Sequence, residues 1–197
     1  MFPVEIETDR LRLVRLCRET IATKELYEYM RVGAPDMAEI NEYVIWEPHR
    51  TIKDTYNYLN EIEEQWENRD QATYVVYPRE HETDEGEFAG VTNLHIGWER
   101  RAAELGIWLR KPFWGRGYSG ERTSALLELA FKQLDLELVG AAHQDGNVNS
   151  KRAIERYIEV HGGQYDGILR NWIPKKSEVR DLHRYTVSRE QYREACK

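Results

Sequence analysis

The sequence predicts a mixed α/β (α+β) fold, in which a mostly antiparallel twisted sheet is flanked by helices. Three observations lead there. Short runs rich in β-branched and aromatic residues recur along the 197 residues. Segments with apolar residues at helical spacing lie between them. The order runs strand, two helices, three strands, helix, strand, helix, two strands, which reads as mixed α/β rather than all-helical or all-β.

Each element has its own signal. Ile6 to Leu16 alternates apolar and polar residues around Leu11, Leu13, Val14 and Leu16, and reads as one strand with a slip in register. Glu19 to Met30 and Thr51 to Trp66 return apolar residues at helical spacing. In the second of these, Tyr58, Leu59, Ile62 and Trp66 form the stripe, and Thr51 with Asp54 marks the start. Ala72 to Tyr77 is a strand, and the polar run Arg79 to Glu87 a hairpin loop. Phe88 to Gly97 and Ala102 to Leu109 are two more strands, joined through Trp98 to Arg101.

Beyond a glycine-rich loop, Glu121 to Leu134 is a helix with Ala125, Leu126, Leu129, Ala130 and Phe131 on one side. Leu136 to His143 has the length and content of a strand. Ser150 to Val160 is a helix striped by Ala153, Ile154, Tyr157 and Ile158, and Gly162-Gly163 stops it. Gln164 to Trp172 and Val179 to Ser188 close the chain as paired strands around Pro174.

Length bounds the organisation. A chain of this size builds one sizeable core, and no repeat or Gly/Ser/Pro-rich linker divides it, so one domain over residues 1–197 is expected. The net charge of -7 argues against nucleic acid as partner, because no basic surplus is available to neutralise phosphates. No run approaches the ~20 apolar residues of a membrane span. The N-terminal Met-Phe-Pro-Val-Glu-Ile-Glu lacks the regions of a secretory signal, so the cytoplasm is expected, with no membrane partner. Cys17 and Cys196 match no ligand spacing and suggest neither a disulfide framework nor a metal site.

The residues that carry chemistry are glycines. Gly115, Gly117 and Gly120 spell G-x-G-x-x-G at the mouth of a helix. Glycines let a backbone approach an anion without a Cβ in the way, and amides at a helix start donate to phosphate oxygens along a favourable dipole. A dinucleotide-binding turn would place these glycines directly after a strand opening a parallel sheet. Here Arg110-Lys-Pro-Phe-Trp114 intervenes. A triphosphate loop would need Gly-Lys-Ser/Thr, which is absent. A ligand-free structural helix entry is the third reading.

Taken with its flanks, the segment Glu104-Leu-Gly-Ile-Trp-Leu-Arg-Lys-Pro-Phe-Trp-Gly-Arg-Gly-Tyr-Ser-Gly-Glu-Arg122 resembles the core of the GNAT superfamily of acetyltransferases. More narrowly, it is similar to the branch that acetylates ribosomal-protein N-termini. Glu7-Thr-Asp-Arg-Leu-Arg-Leu13 is similar to that branch's opening strand. Asn147-Val-Asn-Ser150 resembles its Asn-x-x-Ser helix entry, and Asp166-Gly-Ile-Leu-Arg170 its acidic-Gly-x-x-Arg stretch. Two positions depart from the pattern. Pro112 stands where Gln or Arg is customary, so that either Arg110 or Lys111 would supply the positive contact or the cofactor would bind less tightly there. Gly162-Gly163 replaces a Gly-Phe, which removes an aromatic contact.

The resemblance implies acetyl-coenzyme A as cosubstrate and no metal. Backbone groups of Ile107, Trp108 and Leu109 would pair with the pantetheine arm. Gly115, Arg116, Gly117, Tyr118, Ser119 and Gly120 would take the pyrophosphate, and Asn147 would orient the cofactor arm or the loop. Glu104 is the first candidate for base, against an ordinary surface glutamate, with His95 second because an imidazole titrates near neutrality. Ser150 is the candidate acid toward the leaving thiolate, with helix N-cap as its structural alternative. Asn147 has the alternative of a turn-forming residue after Gly146. Tyr43, Trp46, Trp66 and Trp172 are candidates to line the acceptor slot, Trp46 and Trp172 foremost, with core packing as their alternative. A protein N-terminal amine leads among acceptors. Polyamine- or aminoglycoside-like small amines, a non-catalytic cofactor sensor and a homodimer stay open.

Overall fold

The computed structural model describes residues 1–80, 82–175 and 178–197. His81 of the expected hairpin loop, and Lys176 and Ser177 between the last two strands, lie outside them. The sheet has eight strands in the order β1-β2-β3-β4-β5-β6-β8-β7. They are β1 (Glu5–Glu7), β2 (Leu11–Arg15), β3 (Gln71–Pro78), β4 (Gly90–Gly97), β5 (Ala102–Leu109), β6 (Leu138–Gln144), β7 (Gln164–Lys175) and β8 (Glu178–Ser188). The pairs β1–β2, β2–β3, β6–β8 and β7–β8 are antiparallel, and β5–β6 is parallel. The fold class is thus the expected one. Among the described residues, no helix is long and apolar enough to cross a membrane.

The chain divides into two compact units, residues 1–94 with 107–116 and residues 95–106 with 117–197. In the first, the expected single strand over Ile6–Leu16 is two strands. Thr8 folds the chain back by exchanging hydrogen bonds with Leu11, both through its amide (2.9 Å to the Leu11 carbonyl) and through its Oγ1, which accepts the Leu11 N–H at 3.0 Å. Ile6 then lies opposite Leu13. The polar run Glu7-Thr8-Asp9-Arg10 between Ile6 and Leu11, read as a slip in one strand, is this turn.

Helices α1 (Thr23–Met30), α2 (Met37–Ile40) and α3 (Ile52–Glu67) complete this unit. α1 starts four residues later than its periodicity suggests, because Cys17 to Ile21 is spent on a turn in which the Thr20 and Ile21 amides both reach the Cys17 carbonyl. The α3 start is as expected: the Asp54 carboxylate accepts the amides of Thr51 (2.8 Å) and Arg50 (2.9 Å). Leu26 and Leu59 are fully buried, each stabilising the fold by about 2 kcal/mol relative to exposure. They share a core with Ile62, Val75, Phe88 and Trp108. Trp66 does not line a slot. It is 3% exposed, packed edge-on against Phe2 (5.2 Å) and Tyr74 (5.4 Å).

In the second unit, α4 (Tyr118–Glu128) starts three residues before the expected Glu121, because Gly117 in the left-handed region turns the chain directly into the helix. It runs on into a π turn over Leu129–Gln133. α5 (Val148–Val160) likewise starts earlier than Ser150. A short α6 (Arg189–Ala195), not anticipated from the sequence, follows β8 through a capping box. In it, Ser188 Oγ accepts from Gln191 N, and Gln191 Oε1 accepts from Ser188 N. At Gly163 the chain passes so close to β8 that a Cβ would lie 2.5 Å from the Thr186 carbonyl oxygen. No larger residue fits this backbone, which accounts for the glycine where an aromatic was expected.

Candidate active site

The first unit carries the end of β5 and the start of the loop. Ile107 and Leu109 are half-buried, and Trp108 is buried beside Phe88 (5.7 Å) and Trp46 (5.5 Å). A Cβ on Gly90 would collide with the backbone of Trp108 and Leu109, so this glycine allows β4 and β5 to approach there. Trp46 is half-buried, its carbonyl accepting from Asn41 Nδ2 at 2.6 Å, and it packs on the strand expected to hold the pantetheine arm.

After β5 the chain makes a tight turn over Lys111–Phe113, in which Pro112 occupies a first-turn position that needs no amide donor. Trp114 Nε1 donates to the Leu109 carbonyl at 2.8 Å and pins the loop to the strand. The nearby cations already have protein partners. Lys111 pairs with Glu39 at 2.6 Å, and Arg110 lies over the rings of Tyr29 and Phe113 and donates to the Phe88 carbonyl. Arg116 pairs with Asp84 at 2.6 Å and covers Phe113. These contacts fix the loop.

The glycines meet the requirement of an anion cradle. Gly115 and Gly117 have φ of +74° and +82°, a region that L side chains rarely adopt. Gly120 is different. It lies within α4 at an ordinary helical φ, and a Cβ there would meet no atom within 4 Å. Packing within the protein does not call for glycine at this position. The Gly120 amide closes the first turn on the Gly117 carbonyl at 3.1 Å, and the start of α4 sits at the positive end of the helix dipole. The residues therefore fit a pyrophosphate. Ser119 is half-buried and its carbonyl accepts from Thr123 Oγ1, whereas the Tyr118 ring is buried in the core, leaving only its backbone for a ligand.

The second unit carries the candidate acid and base. Asn147 caps α5, its Oδ1 accepting the Ser150 amide at 3.0 Å. Ser150 is thus the third helical residue rather than the cap expected of it as an alternative, and its half-buried hydroxyl is not part of the cap. Glu104 stands at the last rung of the β5–β6 ladder, opposite Gly140. A Cβ on Gly140 would overlap the Glu104 carboxylate. The carboxylate accepts from Arg184 Nη2 of β8 at 2.5 Å. Burial pushes its pKa above the ordinary 4.5, against the opposing pull of Arg184, then Arg100 and His95. His95 itself is exposed on β4. Trp172 is 59% exposed on β7.

Sequence reasoning missed Arg184. Its only signal was a basic residue on a strand, and the pairing that brings it to Glu104 crosses 80 residues of chain.

Residues 10–157 match the family described as Acetyltransferase (GNAT) domain. YdaF of Bacillus subtilis (strain 168), whose name assigns it provisionally to the ribosomal N-acetyltransferases, is 32% identical over 90 residues, 44% of this chain and 49% of that protein. The chain thus spans about half the length of the curated relatives it matches. The crystal structure of the microcin C7 self-immunity acetyltransferase MccE, in complex with acetyl-CoA and AMP, superposes with a TM-score of 0.79 at 17% identity. That match covers 95% of this chain and 97% of that one. RimL, a ribosomal L7/L12 alpha-N-protein acetyltransferase, superposes with a TM-score of 0.76 at 16% identity over 94% and 92% of the two chains. With the matched region spanning most of its length, the chain belongs to the GNAT acetyltransferase family.

Proposed function

We propose that this chain is an acetyl-CoA-dependent N-acetyltransferase acting in the cytoplasm as one domain over residues 1–197, and that it transfers the acetyl group directly to a protein N-terminal α-amine. The observation that carries the reading is Gly120, a helical glycine facing empty space at the mouth of α4 beside the left-handed Gly115 and Gly117. The backbone of the Gly115 to Gly120 loop holds the pyrophosphate, the strand backbone at Ile107 to Leu109 holds the pantetheine arm, and Asn147 holds the α5 start in place. Acetyl-CoA supplies an activated thioester carbonyl.

The chain's own groups manage the protons. An amine attacks only when neutral, so a base must take its proton, and the leaving thiolate must receive one. Glu104 takes the first, directly or through water, from a carboxylate whose burial raises its basicity. Ser150 gives the second from a hydroxyl that the Asn147 cap holds at the first turn of α5. Trp46 beside Trp108, and the exposed Trp172, are apolar surfaces for the acceptor.

The N-terminal amine is supported by the name of YdaF and the described activity of RimL, together with the motif order along the chain. The test is mass spectrometry of peptides incubated with the protein and acetyl-CoA. The panel spans ribosomal-protein N-termini, internal-lysine peptides and polyamines. One added acetyl group on the N-terminal amine is expected. Acetylation confined to lysine or polyamine nitrogens would overturn the acceptor and leave the transfer reaction standing.

A further inference from the structure

Arg184 has a place in this reaction that no motif assigns. It lies on β8 directly opposite Ala142 of β6, and Gly140, two residues back on β6, lies opposite Glu104. Strand alternation therefore sets Glu104, Gly140 and Arg184 on one sheet face. His183 and Tyr185 lie on the other, where they line a recess with Glu155 and Ile158 of α5. The missing side chain of Gly140 leaves a gap that the Glu104 carboxylate occupies, and Arg184 reaches across it to Oε1.

Arg184 is itself held. Asp166 Oδ2 of β7 lies 3.9 Å from its Nε. Asp166 is fixed in turn by Thr186 Oγ1 at 3.1 Å and Gln164 Nε2 at 2.9 Å, both donating to its Oδ1. Asp166 belongs to the Asp166-Gly-Ile-Leu-Arg170 stretch, so a row of polar contacts links that stretch to Glu104.

We propose that Arg184 is the positioning residue of the reaction: oriented by Asp166, it fixes the Glu104 carboxylate at the end of the β5–β6 ladder and keeps it ionised for proton abstraction. The proposal rests on the reading of Glu104 as base. The geometry has a consequence for charge. A carboxylate at this depth favours the neutral acid, and a neutral acid cannot take a proton from an amine. Every charged group that faces Glu104 bears on that balance: Arg184 from β8, with Asp166 behind it from β7; Arg100 from the Trp98–Arg100 turn; and His95 from β4. β6 presents Gly140 opposite it. Of these, Arg184 alone donates a hydrogen bond to the carboxylate.

The experiment follows the Glu104 carboxyl carbon by NMR titration in protein labelled at glutamate side chains, assigned with Glu104→Gln, alongside the pH profile of kcat. In Arg184→Met the carboxyl titration and the acidic limb of kcat both move to higher pH, by about one unit or more. The KM for acetyl-CoA stays unchanged, and Arg184→Lys keeps both near the wild-type position. Should Arg184→Met not fold, Arg184→Gln replaces it as the neutral variant. A Glu104 titration that coincides in wild type and neutral variant overturns the proposal, whether or not turnover is seen. Wild-type protein that turns over no amine, with a Glu104 titration that still responds to Arg184, overturns the assigned reaction and leaves the ion-pair coupling intact.

Discussion

Asn147 Oδ1 accepts the backbone amide of Ser150 at 3.0 Å, and this one bond divides labour between the two polar residues of the α5 start. The asparagine secures the helix, and the serine hydroxyl is left for other work. Asn147→Ala should therefore cost about 1 kcal/mol of stability, the usual worth of an N-cap. Ser150→Ala should leave the melting temperature near wild type and lower kcat on the order of 100-fold, as expected for a lost general acid. Thermal unfolding and steady-state kinetics of both variants check the division. A stability loss in Ser150→Ala with unchanged turnover would reverse it.

Gly120 allows stability and binding to be separated. Alanine in a helix is favoured over glycine by up to about 1 kcal/mol, and no protein atom stands in the way of the added methyl. Gly120→Ala should therefore be as stable as wild type or more so, while its Kd for acetyl-CoA weakens tenfold or more, about 1.4 kcal/mol. Calorimetric titration beside thermal unfolding reads both. Gly115→Ala should differ, losing stability as well, because its φ of +74° strains any L residue.

Asp54 gives a pH signature at the other end of the chain. Its backbone bond from Thr51, then that from Arg50, holds its carboxyl below the ordinary 3.8. A depressed carboxylate contributes stability above its unfolded pKa and loses it as pH falls through the folded value. The melting temperature of Asp54→Asn should thus lie below wild type at neutral pH, and the two should converge as pH drops below 3.8. A gap that persists into strong acid would point away from the charged cap.

Gly140→Ala probes the same sheet face from the β6 side. The added methyl overlaps the Glu104 carboxylate and must displace it from Arg184. Turnover should fall by more than any change in acetyl-CoA affinity. Kinetics with affinity measured separately tests this, and an equal loss in both would mean that the methyl disturbs the sheet generally.

What could be read from the sequence was mostly local. The Thr51–Asp54 helix start, the loop glycines and the β5 strand each depend on residues a few positions apart, and each stands where the pattern put it. Misreadings came where a local pattern was ambiguous. The polar run Glu7 to Arg10 could be a slip in one strand or a turn between two, and Trp66 could line a slot or complete the buried stripe of α3, which is what its distant partners Phe2 and Tyr74 make it do. Asn147 and Ser150 are both good caps, and their sequence does not say which one bonds the helix. The Arg184–Glu104 pair was beyond reach, because it depends on β8 lying beside β6 and on Gly140 leaving room.

The account's central claim is that the glycine loop binds acetyl-CoA for transfer to an amine. The most direct measurement is thiol release from acetyl-CoA in the presence of N-terminal peptides, with wild type and Gly120→Val side by side. The account predicts amine-dependent release by wild type, and a folded Gly120→Val protein that requires far more acetyl-CoA to reach the same rate. Unchanged acetyl-CoA dependence in Gly120→Val, or no acetyl-CoA binding by wild type, would contradict it.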